Sequence, residues 1–220
     1  MPSLVSLPVV LDNHDSRIRY YELMLKRERL DDLPKYDLPE GYSFAMYRPG
    51  DRDHWITIEH SAKELMGHSH GVDVWARYFG WNETELPERM VFIENEAGEK
   101  VATATAYFDI YGRDQSGAGW LHWVAVRRED QGKGLARPLI AYTLRLLRQL
   151  GHSRAIIPTQ TNTWLACKLY LDFGFQPIPE NAARNRDGWR IMRALTNHPA
   201  LQAFDPATAQ EILSGEEEQG

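Results

Sequence analysis

The sequence predicts an α/β fold, a central sheet flanked by helices, on three observations. From Leu121 to Leu147 an apolar strand passes through a polar, glycine-containing turn into an amphipathic helix. The same order returns from Ala155 to Phe173, a strand and then a helix. Between them in kind, Met90 to Glu94 and Val101 to Tyr107 are β-rich runs separated by Glu96-Ala97-Gly98-Glu99, which is a hairpin signal. Strands alternating with helices in this way build a layered α/β domain.

The elements follow in order. Asp15 to Leu30 carries Ile18, Tyr21 and Leu25 at helical spacing among charges and is expected to be a helix, with Pro34, Pro39 and Gly41 marking a linker after it. Tyr42 to Tyr47 reads as the first strand of the main domain, Asp51 to Leu65 and Val72 to Phe79 as helices, and Trp120 to Val126 as the strand that feeds the turn. The helix from Gly134 to Leu150 has Leu135, Leu139, Tyr142, Leu146 and Leu150 on one stripe and stops at Gly151. Ala155 to Pro158 is a strand, Asn162 to Phe173 a helix, Trp189 to Leu195 a final strand, and Ala207 to Leu213 a short helix before an acidic end, Glu216 to Gly220. The expected organisation is an N-terminal helical extension and linker over 1–40, one domain over 41–196 and a tail over 197–220.

Composition excludes several classes. With 43% hydrophobic and 25% charged residues the chain is globular in make-up, and it holds no apolar run of membrane-spanning length. A net charge of −6 supplies no general field for nucleic acid. The N-terminus lacks the basic lead and cleavage site of a signal peptide, so a cytoplasmic location is expected. Cys167, the single cysteine, rules out an intrachain disulfide and reads as a small buried residue. Gly67-His68-Ser69-His70-Gly71 offers two histidines, half of a tetrahedral zinc site, and is expected to be a substrate-side loop with no metal.

The turn at Gln131-Gly132-Lys133-Gly134-Leu135-Ala136 sits where strand becomes helix, so unpaired amides and the positive end of the helix dipole favour a phosphate or pyrophosphate. Two nucleotide motifs fail. A P-loop would need glycine at Arg127 and Ser or Thr at Gly134; a dinucleotide fingerprint would need glycine at Arg137 and a carboxylate near His152 to Ala155.

The segment resembles the acetyl-CoA-binding motif of the GCN5-related N-acetyltransferase (GNAT) family, Gln/Arg-x-x-Gly-x-Gly/Ala, with Gln131, Gly134 and Ala136 in place. A second family signature, Asn followed by a helix ending in Tyr-x-x-x-Gly-Phe, is met by Asn162, Ala166, Tyr170, Gly174 and Phe175. The resemblance implies a mixed, mostly antiparallel sheet. It also implies an acyltransferase with acetyl-CoA as co-substrate, held by Val124, Ala125, Val126, Gln131, Gly132, Lys133, Gly134, Leu135, Ala136 and Asn162. Asn162 could equally cap its helix.

Acetyl transfer to an amine needs a base, because an alkylammonium has a pKa of about 10.4, and an acid for the departing thiolate, whose conjugate acid lies at about 8.5. The resemblance places Tyr170 as the acid. His122, in a Leu-His-Trp-Val-Ala-Val run similar to arylalkylamine-acetylating members, is the candidate base, with Glu59 and Glu94 as alternatives. Trp55, Trp75, Trp81, Trp120, Trp123 and Trp164 divide between core and an apolar acceptor pocket. The expected partners are acetyl-CoA and an amine acceptor, with no nucleic acid and no membrane, in a monomer or homodimer. The leading reading is acetylation of a small-molecule primary amine by direct attack; a protein or peptide N-acetyltransferase and a non-catalytic acyl-CoA sensor are the alternatives.

Overall fold

The computed structural model describes residues 7, 9–108 and 117–214. Its elements in chain order are β1 (Glu22–Arg27), β2 (Tyr42–Met46), α1 (Arg52–Ser61), α2 (His68–Tyr78), α3 (Leu86–Arg89), β3 (Met90–Asn95), β4 (Lys100–Phe108), β5 (Gly119–Val126), α4 (Ala136–Gln149), β6 (Ala155–Gln160), α5 (Trp164–Asp172), β7 (Gln176–Pro177), α6 (Pro179–Arg184), α7 (Arg186–Thr196) and α8 (Ala209–Ile212). The mixed α/β class holds; β1 with β7, β2 with β3, β3 with β4 and β4 with β5 pair antiparallel, and β5 with β6 parallel. The acidic end lies outside the described residues.

Two compact units make up the chain, Glu28–Ile156 and the pair Met1–Arg27 with Ile157–Gly220, and β6 passes from the first into the second. In the larger unit the strand order is β2-β3-β4-β5-β6. Side-chain alternation along β4 gives the sheet two distinct faces. Thr103, Thr105 and Tyr107 share one face with Phe92 and Met90 of β3, and that face is covered by Trp55 and Ile58 of α1, Trp75 of α2 and Phe79 just after it. Ala102, Ala104 and Ala106 point the other way, and α4 packs on β4 and β5. The buried face of α4 centres on Leu139, Ile140, Leu144 and Leu147, rotated from the expected stripe, whose Tyr142 instead sits at the flank stacked on Phe44 at 4.3 Å. Gly119 admits this packing. A Cβ there would lie 2.5 Å from Leu147 Cδ2.

Two expectations fail in the smaller unit. Asp15 to Leu30 is not a helix: Leu23 and Leu25 are fully buried on alternate positions of strand β1, which pairs with β7 through Leu25 opposite Pro177 and Lys26 opposite Gln176. The hydrophobic spacing fits both periods, and ladder bonds to a distant strand decide it. Trp189 to Leu195 is not a strand but most of α7, with Gly188, Trp189, Ile191 and Met192 buried at helical spacing and Asn197 ending the helix in the left-handed region at φ 47°. A Cβ on Gly188 would stand 2.6 Å from Tyr21 Cβ, so α7 rides close on the chain leading into β1.

Candidate active site

The larger unit holds the turn. β5 ends at Val126, a short 3-10 turn covers Arg128–Asp130, and α4 begins at Ala136 with its first bond from the Leu139 amide to the Leu135 carbonyl at 3.1 Å. No side chain caps α4. The amides of Gly132, Lys133, Gly134, Leu135 and Ala136 therefore donate to no acceptor among the described residues. Gly132 and Gly134 adopt φ of 79° and 83°, a left-handed geometry that a side chain would strain. Successive free amides at the positive end of a helix form an anion cradle.

The turn is braced from beneath. Gln131 Nε2 donates to the Val126 carbonyl at 3.1 Å. Asp130, which the sequence reading passed over, is buried and accepts from Arg127 Nε and Lys133 Nζ, each at 2.8 Å. Burial alone would raise its pKa, but these two hydrogen bonds hold the carboxyl below its ordinary value. Ser61, at the end of α1, accepts from the Arg128 amide at 2.9 Å. Lys133 thus serves the turn itself.

β5 leading to this turn is irregular. Thr105 pairs with His122 and Thr103 with Ala125, so Trp123 and Val124 together face Ala104 in a β-bulge, and Trp123 takes φ 50°. A positive φ on a bulky residue is uncommon and marks a constrained backbone. The parallel pairing with β6 covers only Gly119 and Trp120. Beyond Trp120, that edge of β5 has no ladder partner among the described residues, and its backbone groups are open to an extended ligand arm.

His122 is buried on the face shared with Thr105, with its ring 5.3 Å from that of Tyr78, and its Nε2 has no partner among the described residues. Desolvation without a counter-charge lowers its pKa to about 3, so the imidazole is neutral across the physiological range. Glu59, one turn beyond Trp55 on α1, is fully buried with neither carboxyl oxygen partnered, and burial, helped by the negative field of Glu64, raises its pKa well above the ordinary value. Glu94 is elsewhere. It lies four residues along β3 from the Met90–Thr105 pair, about 13 Å at strand rise, and forms an ion pair with Lys100 at 2.9 Å.

In the smaller unit, Tyr170 on α5 is buried with its ring edge-on to Phe175 at 6.3 Å. Asn162 does not cap α5, whose N-cap is Thr163 with no side-chain bond. Its Nδ2 lies 3.1 Å from His14 Nε2, while its buried Oδ1 has no donor among the described residues. Lys168 pairs with Asp172 at 2.9 Å. Cys167 is buried, and desolvation pushes its thiol pKa far up, away from nucleophile chemistry.

Of the tryptophans, Trp55, Trp75 and Trp120 are core, Trp123 and Trp164 half-buried, and Trp81 exposed. The His68 to Gly71 stretch is the first turn of α2, not a loop, with His70 Nδ1 accepting from the Met66 amide at 3.2 Å. Among the described residues no group of three or more His, Cys, Asp or Glu is placed to hold a metal ion. No described helix is long and apolar enough to cross a membrane.

The sequence pattern of the acetyltransferase (GNAT) family matches residues 52–175. Among solved structures the chain is similar to a GCN5-related N-acetyltransferase from Sphaerobacter thermophilus, with a TM-score of 0.57 and 20% identity over 74% of this chain and 49% of that one. It is also similar to a GNAT-family acetyltransferase from Colwellia psychrerythraea, TM-score 0.53, 14% identity, 72% and 54% covered. A third is PH1933 from Pyrococcus horikoshii OT3, TM-score 0.52, 19% identity, 62% and 90% covered. At these identities the likeness shows the fold, and the chain spans about half the length of the first of them. No curated protein matches. With its turn, its bulged strand and a sequence match over more than half its length, the chain belongs to the GNAT acetyltransferase family.

Proposed function

We propose that this protein is an acetyl-CoA-dependent N-acetyltransferase acting on the primary amine of a small molecule by direct attack, with no covalent enzyme intermediate. The observation that carries the reading is the run of free amides from Gly132 to Ala136 at the start of α4, which fits a pyrophosphate. The open edge of β5 at Val124, Ala125 and Val126 fits the amide groups of a pantetheine arm, and the family resemblance adds Asn162 as a further contact for it. Acetyl-CoA supplies a thioester carbonyl as the electrophile.

The chain's own groups handle position and protons. Backbone amides at the bulge polarise the carbonyl oxygen, and water is kept from the thioester by the aromatic cover of α1 and α2. The amine nitrogen forms its bond to the carbonyl carbon as the carbon–sulfur bond breaks; by the family resemblance the Tyr170 hydroxyl gives its proton to sulfur, and the proton the nitrogen sheds as it becomes the amide passes to solvent, from which the Tyr170 phenolate regains one. His122, neutral and with an open Nε2, orients the amine by accepting one N–H. It is a weak base as buried, so the neutral amine is the species that reacts. Burial raises the Glu59 pKa well above its ordinary value and Glu94 is paired with Lys100, so neither improves on this assignment.

The test is release of free CoA, read with a thiol reagent, across a panel of small primary amines and lysine-containing peptides. Turnover with small amines supports the proposal. Turnover with peptides only would replace it by the protein-acetylating reading, and tight acetyl-CoA binding with no release would replace it by a sensor.

A further inference from the structure

The segment that leads into β2 runs along α4, from near the end of that helix back to its start. Near the end, Arg145 Nη1 donates to the Pro34 carbonyl at 3.3 Å. At the start, Pro39 Cγ is 3.8 Å from the place a Gly134 Cβ would take. The Tyr42 amide then donates to the Pro39 carbonyl at 3.3 Å, and β2 begins. Side chains of a strand alternate between its faces, so Tyr42, Phe44 and Met46 share one. That face is the one toward α4: Phe44 stacks on Tyr142, and the Tyr142 hydroxyl donates to Met46 Sδ at 3.7 Å.

Tyr42 therefore stands beside the turn that starts α4, and its hydroxyl is a hydrogen-bonded neighbour of Lys133. An ammonium has donors only, so in that bond the phenol oxygen accepts and keeps its own O–H to give. Among the described residues no acceptor takes that O–H. The side chain is half-buried, so a ligand at the turn can reach it. The Lys133 ammonium is shared with Asp130 at 2.8 Å. What this corner adds for an anion is thus a neutral donor, set beside the amides of Gly132 to Ala136.

We propose that Tyr42 is a further cofactor-binding residue, whose hydroxyl donates to the diphosphate of acetyl-CoA seated at Gly132 to Ala136, with Pro39 as the wall beside it. This rests on the acetyl-CoA reading of the turn. Both residues lie outside the 52–175 match to the family pattern, so the contact belongs to the segment this chain carries ahead of that match. A neutral donor suits the place. It meets a phosphate oxygen without drawing the Lys133 ammonium away from Asp130, whose buried carboxylate would otherwise lose a partner.

The experiment is calorimetric titration of the full chain and of Tyr42→Phe with two ligands, acetyl-CoA and phosphoadenosine diphosphate, the nucleotide half of the cofactor. Tyr42→Phe keeps the ring and its packing. It should weaken both ligands by the same factor, about tenfold, while the unliganded variant melts at the wild-type temperature. Equal affinities in the two proteins, or a loss on acetyl-CoA that spares the nucleotide half, overturns the proposal. So does a melting temperature that falls together with the affinity, since the hydroxyl would then be a brace of the turn and not a ligand contact. A wild type that binds neither ligand sinks the acetyl-CoA reading itself; a wild type that binds both, matched by its variant, leaves that reading standing and removes Tyr42 alone.

Discussion

Thr105 lies directly across the β4–β5 ladder from His122, at the last regular pair before the bulge at Trp123 and Val124. His122 is therefore fixed by the register, on the buried side of the strand, immediately before the backbone that the proposed acetyl site uses. A histidine so placed is dry and neutral, and this sets its behaviour with pH.

Because its folded pKa is lowered to about 3 from 6.5, the unfolded chain takes up a proton that the folded chain refuses between those values. The contribution is intact above about pH 6.5 and is lost as pH falls toward 3, by about 1.4 kcal/mol per pH unit across the window. Urea unfolding from pH 4 to pH 7 should show this slope in the wild type and a shallower one in His122→Gln. Parallel curves would contradict the buried neutral state. The same neutrality predicts a kcat/KM that climbs toward the pKa of the amine with no inflection between pH 6 and 7.

Glu59 shifts the other way. Its folded pKa is raised, so its stabilising proton is held at low pH and stability is lost as pH rises from about 4.5 through the folded value. Glu59→Gln should melt near the wild-type temperature at pH 5 and above it at pH 8. A gap that stays constant with pH would show that the carboxyl is hydrated.

Removing the Tyr170 hydroxyl should leave cofactor binding and slow the chemistry. Tyr170→Phe is expected to reduce kcat by about 10²-fold while the affinity for acetyl-CoA, measured by titration, stays within about twofold of the wild type. Loss of both in proportion would remove the proton-donor role.

Asp130 joins Arg127 to Lys133 under the turn, and its carboxyl is buried. Asp130→Asn should cost about 1.5–3 kcal/mol, seen in denaturant midpoints, and should raise the KM for acetyl-CoA as the turn loosens. The effect should be larger than that of Lys133→Met, because the latter removes one half-exposed cation and leaves the buried Asp130 carboxylate paired with Arg127.

Local order was legible where one period dominated. The strand into the turn at Gln131, the hairpin around Gly98, and the helix carrying Tyr170 each have a single pattern bounded by glycine or a turn. β1 and α7 were misread because Ile18 to Leu25 and Trp189 to Leu195 satisfy both periods, and partners distant in the chain choose between them. The bulge at Trp123 has no sequence signal, since an extra residue in one strand shows only against its partner's register. For the same reason, Glu59 and Glu94 looked equivalent as carboxylates, and only packing separates the orphan in the core from the ion pair with Lys100.

The most direct measurement is calorimetric titration of acetyl-CoA into the wild type and into Gly134→Val. Gly134 holds φ 83° with only Pro39 within 4 Å of a Cβ, so the substitution strains the cradle backbone without filling the core. One saturable site in the wild type, weakened at least tenfold in the variant while the protein remains folded, is the predicted result. No binding to the wild type, or equal affinity in the two proteins, would contradict the assignment of this turn as the acetyl-CoA cradle.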